Sequence, residues 1–202
     1  MATKFSKHKL TRMFKLGYKL AFETDSRKKE WKSIFALWSC AANGGLKRAQ
    51  FYLATCYDNG LGTKKDIEEA YKWFYKAAKQ GHRDSQYNIG CFYREGDVVN
   101  RDDKKAVQWY SLAAHQGHFD AQRNLGYCYF YGEGIKKDEL KAVYWYKKAA
   151  NQDDAVALYN LGLCYKNGTG VKQSTRWTKH YFQKSLHLGY KKAAKKLKEL
   201  TP

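Results

Sequence analysis

The stretch that decides the fold is Ala121–Gln152, AQRNLGYCYFYGEGIKKDELKAVYWYKKAANQ. It predicts two helices. The first carries Ala121, Leu125, Gly126 and Tyr129 on one face of a 3.6-residue period. Gly132 and Gly134 end it, because glycine accepts the left-handed conformation that follows a helix C-terminus. Asp138 opens the second helix as an N-cap, its carboxylate accepting from free backbone N–H groups. Ala142, Trp145, Tyr146, Ala149 and Ala150 form the inward stripe of that helix. Small residues at Gly126 and Ala142 allow two helices to approach closely, and Tyr129 and Trp145 fill the space around them.

The same unit recurs along the chain at a fixed step of 36 residues. Ala121 stands in one column with Ala49, Ser85, Ala157 and Ala193. Ala54, Gly90, Gly126 and Gly162 form a second column, and Tyr57, Tyr93, Tyr129 and Tyr165 a third. The loop glycines are Gly60, Gly96, Gly132 and Gly168. In the second helix, Trp73, Trp109, Trp145 and Tyr181 run beside Phe74, Tyr110, Tyr146 and Phe182. A period of this size in one register predicts a solenoid of stacked helix pairs, each covering an apolar face its neighbour leaves open.

These columns, written A-x3-LG-x2-Y-x2-G-x-G-x3-D-x3-A-x2-WY-x-KAA-x-QG, resemble the Sel-1-like repeat, a relative of the tetratricopeptide repeat. Ala121–Gln152 matches nearly every position. Gln50–Gly81 carries Ala54 for a glycine, and Gln86–Gly117 carries Val98 for the second loop glycine. Leu158–Gly189 drifts, with Thr178 for an alanine and Ser185-Leu186 for Ala-Ala. The resemblance implies an all-α, right-handed α-solenoid of antiparallel helix pairs. The expected organisation is a basic tail at 1–10, a degenerate capping helix pair at 11–46, four repeats at 47–190 and a capping helix at 191–202. The capping pair would run as one helix from Thr11 to Phe22, with Glu23-Thr24-Asp25-Ser26 in place of the loop glycines, and a second from Trp31, closed by Gly44-Gly45. That makes eleven helices in one continuous array.

The 202 residues carry 38 Lys and Arg against 19 Asp and Glu. The excess sits at the ends: residues 1–32 are net +7 and residues 172–202 net +8, whereas 33–171 is net +4. Polar end caps account for this by themselves. The alternative is attraction to an acidic partner: an acidic protein, an anionic membrane surface or a nucleic acid. Lysine dominates over arginine and no basic-aromatic motif stands out, which weighs against nucleic acid. No run of 18 apolar residues predicts a transmembrane helix. The basic N-terminus has no apolar run after it, so no secretory signal is expected and the expected location is cytoplasmic.

Five cysteines occur, Cys40, Cys56, Cys91, Cys128 and Cys164, three of them in one repeat column. Equivalent helices of successive repeats lie too far apart for a disulfide, so the thiols are expected to be reduced core residues. The resemblance extends to a cysteine-rich secreted branch to which β-lactamase or penicillin-binding activity is attributed. The positions that would staple its helices are Ala78, Ala114 and Ala150 here. A hydrolase acting on β-lactam or peptidoglycan substrates is the competing function class. No Walker A loop, G-x-S-x-G, HExxH or paired CxxC supports it. His115 and His118 have H-x-x-H spacing without an evident third ligand and are expected to be exposed loop residues, as is His82. No enzyme, metal or cofactor is expected.

By resemblance, the first helix of each pair lines a concave face. The positions left over from core packing are Phe51, Tyr52, Tyr87, Asn88, Arg94, Arg123, Asn124, Tyr127, Phe130, Tyr131, Tyr159, Asn160 and Lys166. Asn88, Asn124 and Asn160 share one column, and an amide both donates to and accepts from a peptide backbone. The resemblance places a peptide-clamping asparagine at that position; bonding to a neighbouring helix is the alternative role. The aromatics are of the types that dominate binding hot spots, or else ordinary repeat packing. The expected function is a monomeric scaffold or adaptor binding a protein or peptide. Truncating Arg123 and Asn124 together is expected to weaken that binding and leave stability nearly unchanged.

Overall fold

The computed structural model describes residues 5–23 and 30–200. The expected Thr24-Asp25-Ser26 substitution for the loop glycines lies outside these residues, as do residues 1–4 of the basic tail. The described residues form eleven helices: α1 (Lys7–Phe22), α2 (Trp31–Asn43), α3 (Lys47–Asn59), α4 (Ile67–Lys79), α5 (Arg83–Glu95), α6 (Asp103–His115), α7 (Phe119–Tyr131), α8 (Glu139–Ala150), α9 (Ala155–Asn167), α10 (Thr175–His187) and α11 (Lys192–Lys198). Among the described residues there is no strand, and no helix is long and apolar enough to cross a membrane. The backbone groups into two compact units, Met1–Asn100 and Arg101–Pro202.

Helix α1 starts at Lys7, four residues ahead of the expected Thr11. Ser6 caps it by accepting from the Lys9 N–H. Gly17 stands against the Trp38 indole, so the capping pair has its own close approach although its Leu-Gly is one residue out of register. The buried Trp38 Nε1 donates to no acceptor among the described residues. In α11 Ala193 is buried, while Ala194 and Leu197 are half-covered, as is Leu200 just beyond the helix.

The repeated local chemistry follows the sequence. Asp66, Asp102, Asp138 and Ser174 cap α4, α6, α8 and α10, each accepting from the N–H three residues on. Gly60, Gly96, Gly132 and Gly168 close α3, α5, α7 and α9 in the left-handed conformation. The stripe Ala142, Trp145, Tyr146, Ala149 and Ala150 is buried as expected, joined by Val143. A Cβ at Gly126 would come within 2.7 Å of the Tyr146 ring, and one at Gly162 within 2.5 Å of Phe182.

Two features of the turns go beyond the expected columns. Gly62, Gly134 and Gly170 each press their α-carbon against the backbone carbonyl of the first residue of an earlier second helix: Trp31, Asp103 and Glu139. A buried glutamine also recurs. Gln50, Gln86 and Gln122 are almost fully enclosed, and each donates from Nε2 to the carbonyl eight residues back, on Ala42, Ala78 and Ala114, at 3.1–3.3 Å. Gln80 and Gln152 in turn donate to the Oε1 of Gln50 and Gln122 at 2.8 and 2.9 Å.

The glycine contacts are testable by thermal melts of three variants. Gly126→Ala is expected to cost about 1–3 kcal/mol, because Tyr146 must move within a packed core. Gly134→Ala is expected to cost more than Gly117→Ala, since its Cβ meets the Asp103 carbonyl, which cannot rotate away. At Gly117 a Cβ meets nothing within 4 Å, leaving only the strain of φ +84, about 1–2 kcal/mol for a left-handed residue.

Candidate functional site

The first-helix residues predicted to face a partner divide into those engaged in holding repeats together and those left over. One column is spent on packing. Phe51 stacks on His82, ring centroids 4.6 Å apart. Tyr159 meets Tyr190 edge-on at 5.1 Å. Arg123 donates from Nη1 to Asp154 at 2.5 Å and from Nη2 to Asp120 at 2.6 Å. His82 and Asp154 each stand immediately before the next first helix and cap it, whereas Tyr190 lies two residues before α11. His82 Nδ1 accepts from the Ser85 N–H, and Asp154 accepts from the Ala157 N–H. The Asp154 side chain is only 5% exposed, so Arg123 is the counter-charge to a buried carboxylate. This corrects the expectation that Arg123 and Asn124 could be truncated together without loss of stability.

Three further predicted residues are also engaged. Tyr52 packs against Phe14, Tyr18, Phe22 and Trp38, at 4.8 Å from Trp38. Burial there pushes its phenol above the ordinary value. Lys166 pairs with Glu199 at 3.0 Å, tying α9 to the C-terminal segment. Phe130 packs on the core built from α8 and α9. Arg94 and Tyr87 are half-buried on α5.

What remains accessible is centred on the asparagines. Asn88, Asn124 and Asn160 are half-exposed, and none makes a side-chain hydrogen bond with the described residues. In the second unit they are accompanied by Tyr127 and Tyr131, rings 4.5 Å apart, with Tyr131 well exposed. In the first unit Asn88 lines a cavity of about 180 Å³ with Asp58, Ile67, Phe74, Cys91, Phe92, Glu95 and Asp97. Asp97, part of its lining, precedes Val98, which stands where the other repeats have the second loop glycine. The cavity lining holds three carboxylates and no basic side chain, so it suits a cationic group in a chain of net charge +19.

The histidines and cysteines are accounted for by structure. His82 and His118 cap α5 and α7 through Nδ1 rather than lying free in loops. His115 Nδ1 donates to the Ser111 carbonyl at 2.7 Å, and its ring meets Trp145 edge-on. Cys56, Cys128 and Cys164 are buried, whereas Cys40 and Cys91 are half-buried; none is in a disulfide. Burial pushes the thiols of Cys56 and Cys164 up to about 12, which keeps them protonated and unreactive. Among the described residues no group of three His, Cys, Asp or Glu side chains is arranged to hold a metal.

The family model for the Sel1 repeat matches residues 47–82, 83–118, 119–154 and 155–190. A Sel1 repeat protein from Oxalobacter formigenes is 34% identical over 93% of this chain and 76% of its own, with a TM-score of 0.82. A protective antigen of uropathogenic Escherichia coli strains, displaying an SLR fold, is 30% identical with a TM-score of 0.86; the match covers 97% of this chain and 44% of that one. An immunity protein from Pseudomonas aeruginosa is 25% identical over 92% of this chain and 68% of its own, with a TM-score of 0.56. No curated protein matches.

Two outcomes check the packing column. Arg123→Ala is expected to lower stability by about 2 kcal/mol, the cost of stranding a charged hydrogen-bond partner, read by denaturant unfolding. The second concerns acid. Burial, the largest influence, pushes His82 below the ordinary 6.5; Asp84 opposes it, and Lys47, Arg48 and Arg83 reinforce it. A depressed folded value means that the unfolded chain takes up the proton first. The His82 contribution is therefore whole above pH 6.5 and is lost as pH falls through the lower folded value. Unfolding of the native chain should steepen below pH 6.5, and His82→Asn, which keeps a capping side chain, should remove that step.

Proposed function

Since the chain belongs to the Sel1-repeat family, we propose that it is a non-catalytic binding protein that holds an extended segment of another protein along its first helices. Sel1 repeats generally mediate protein interactions, and the family is typically non-catalytic. The observation that carries the reading is the half-exposed pair Asn124 and Asn160 in the second unit, with the equivalent Asn88 in the first, whose amides make no side-chain hydrogen bond among the described residues. An amide oriented by a helix and left unpaired offers one acceptor and two donors to a passing peptide backbone. Tyr127 and Tyr131 supply adjacent ring surface of the kind that anchors interfaces. The basic ends of the chain favour an acidic partner, and within the first unit the carboxylate-lined cavity beside Asn88 suits a Lys or Arg side chain.

The test is selection of peptides from a random library on the intact chain, followed by titration of the winners against variants. Asn124→Ala and Asn160→Ala are each expected to weaken binding by about 1 kcal/mol, roughly fivefold, and together to add. Melting should stay nearly unchanged, because neither amide supports the fold. Peptides that bind the double variant as tightly as the native chain would refute the assignment.

A further inference from the structure

The fourth repeat departs from the other three at one exposed position. Glu69, Lys105 and Lys141 occupy equivalent places near the start of α4, α6 and α8. In the third repeat the Lys141 ammonium sits over the Tyr129 ring, 5.4 Å from its centroid. In α10 the equivalent residue is Trp177, and it lies over the equivalent tyrosine, Tyr165, at 6.1 Å. Tyr181 completes the group, stacked on Tyr165 at 5.4 Å and tilted against Trp177 at 5.8 Å. Tyr181 stands where Trp73 and Trp145 are buried, so the repeat's tryptophan has in effect moved from the packed position to the surface. Trp177 remains 44% exposed. A tryptophan so placed, where the neighbouring repeats carry a charged residue, contributes little to the core and leaves a ring face to solvent.

Beside it opens a cavity of about 450 Å³ lined by Tyr165, Val171, Lys172, Gln173, Ser174 and Trp177. It lies at the N-terminus of the thirteen-residue helix α10, an end that favours negative charge. From Ala155 to Lys198 the chain contains ten Lys and Arg and not one Asp or Glu. Lys166 and Lys196 are paired with Glu199, and Lys184 with Asp153. Lys172, Arg176 and Lys179 make no ion pair among the described residues. An exposed indole backed by stacked tyrosines, an adjoining cavity and cations with no ion pair among the described residues are the three elements of a stacking platform for single-stranded nucleic acid: a base lies on the indole and phosphates meet the cations. A duplex keeps its base faces inside and cannot use the rings.

We infer that the Trp177–Tyr165 platform with Lys172 and Arg176 binds single-stranded nucleic acid, independently of the first-helix face. The decisive variant is Trp177→Lys, which installs the residue that the second and third repeats already carry and therefore preserves the fold. It adds a positive charge. A site acting by charge alone would bind a polyanion more tightly after the change, whereas a stacking site loses affinity, by about tenfold for one lost base contact. The probes are fluorescein-labelled ten-nucleotide oligothymidylate and oligouridylate, a duplex of equal length, and heparin, followed by anisotropy across a salt series. The expected result is weaker oligonucleotide binding by Trp177→Lys with heparin binding retained, single strand preferred over duplex, and a shallower salt dependence for Lys172→Ala with Arg176→Ala. Unchanged or tighter oligonucleotide binding by Trp177→Lys would overturn the inference. So would equal affinity for duplex and single strand.

Discussion

A helix that ends inside a stack of helices leaves carbonyl oxygens turned away from water, and each must find a donor. That constraint shapes three of the junctions between repeats. Gln50, Gln86 and Gln122 reach back across the turn to Ala42, Ala78 and Ala114. Because each glutamine belongs to the next repeat's first helix, its hydrogen bond fixes how one pair follows another. Apolar burial supplies most of the stabilisation, but it is not directional. The glutamines supply direction, and Gln80 and Gln152 hold the side chains of Gln50 and Gln122 in place by bonding their oxygens. In the fourth repeat both members change at once: Leu158 replaces the first glutamine and Leu188 the second. A lone change would bury an amide without its partner, whereas replacing both removes the obligation.

The same logic of matched pairs governs the column that ends just before the next first helix. Phe51 with His82, Arg123 with Asp154 and Tyr159 with Tyr190 are three different chemistries filling one geometric slot. A stacked pair, an ion pair and an edge-on pair each bring two side chains into contact at the same step along the repeat. The slot is specified by the backbone, and its occupants answer only to one another. The repeat therefore tolerates large sequence drift provided that residues 31 apart drift together.

Fold class was legible because its determinants recur. Glycines, capping aspartates and the small-residue columns each appear three or four times in register, so a single lapse such as Val98 or Ala54 does not hide the period. The binding face was only partly legible. Composition marks Arg123 as a surface residue, and its role depends on Asp154, which lies beyond the second helix and is recognisable only once the turn has brought it round. Phe51 and Tyr52 similarly look like free aromatic surface until His82 and the Trp38 cluster are seen against them. Asn88, Asn124 and Asn160 are half-exposed, and the sequence column by itself does not distinguish a helix-bonding amide from a free one. Trp177 falls in the second helix that departs most from the repeat pattern. Its significance comes from its exposure and from the cavity beside it, and a one-dimensional pattern contains neither. The glutamine column Gln50, Gln86 and Gln122 is periodic too, but a polar residue beside a core alanine carries no sequence mark of burial.

The buried thiols of Cys56, Cys128 and Cys164 have a consequence for how the molecule's internal motions could be followed. Each sits beside the tyrosine column of its own repeat, silent toward electrophiles while enclosed. Alkylation then requires that repeat to loosen and admit solvent. The pace at which each sulfur is captured would measure how often its own neighbourhood opens, giving the chain native, chemically addressable timers at three places along its length.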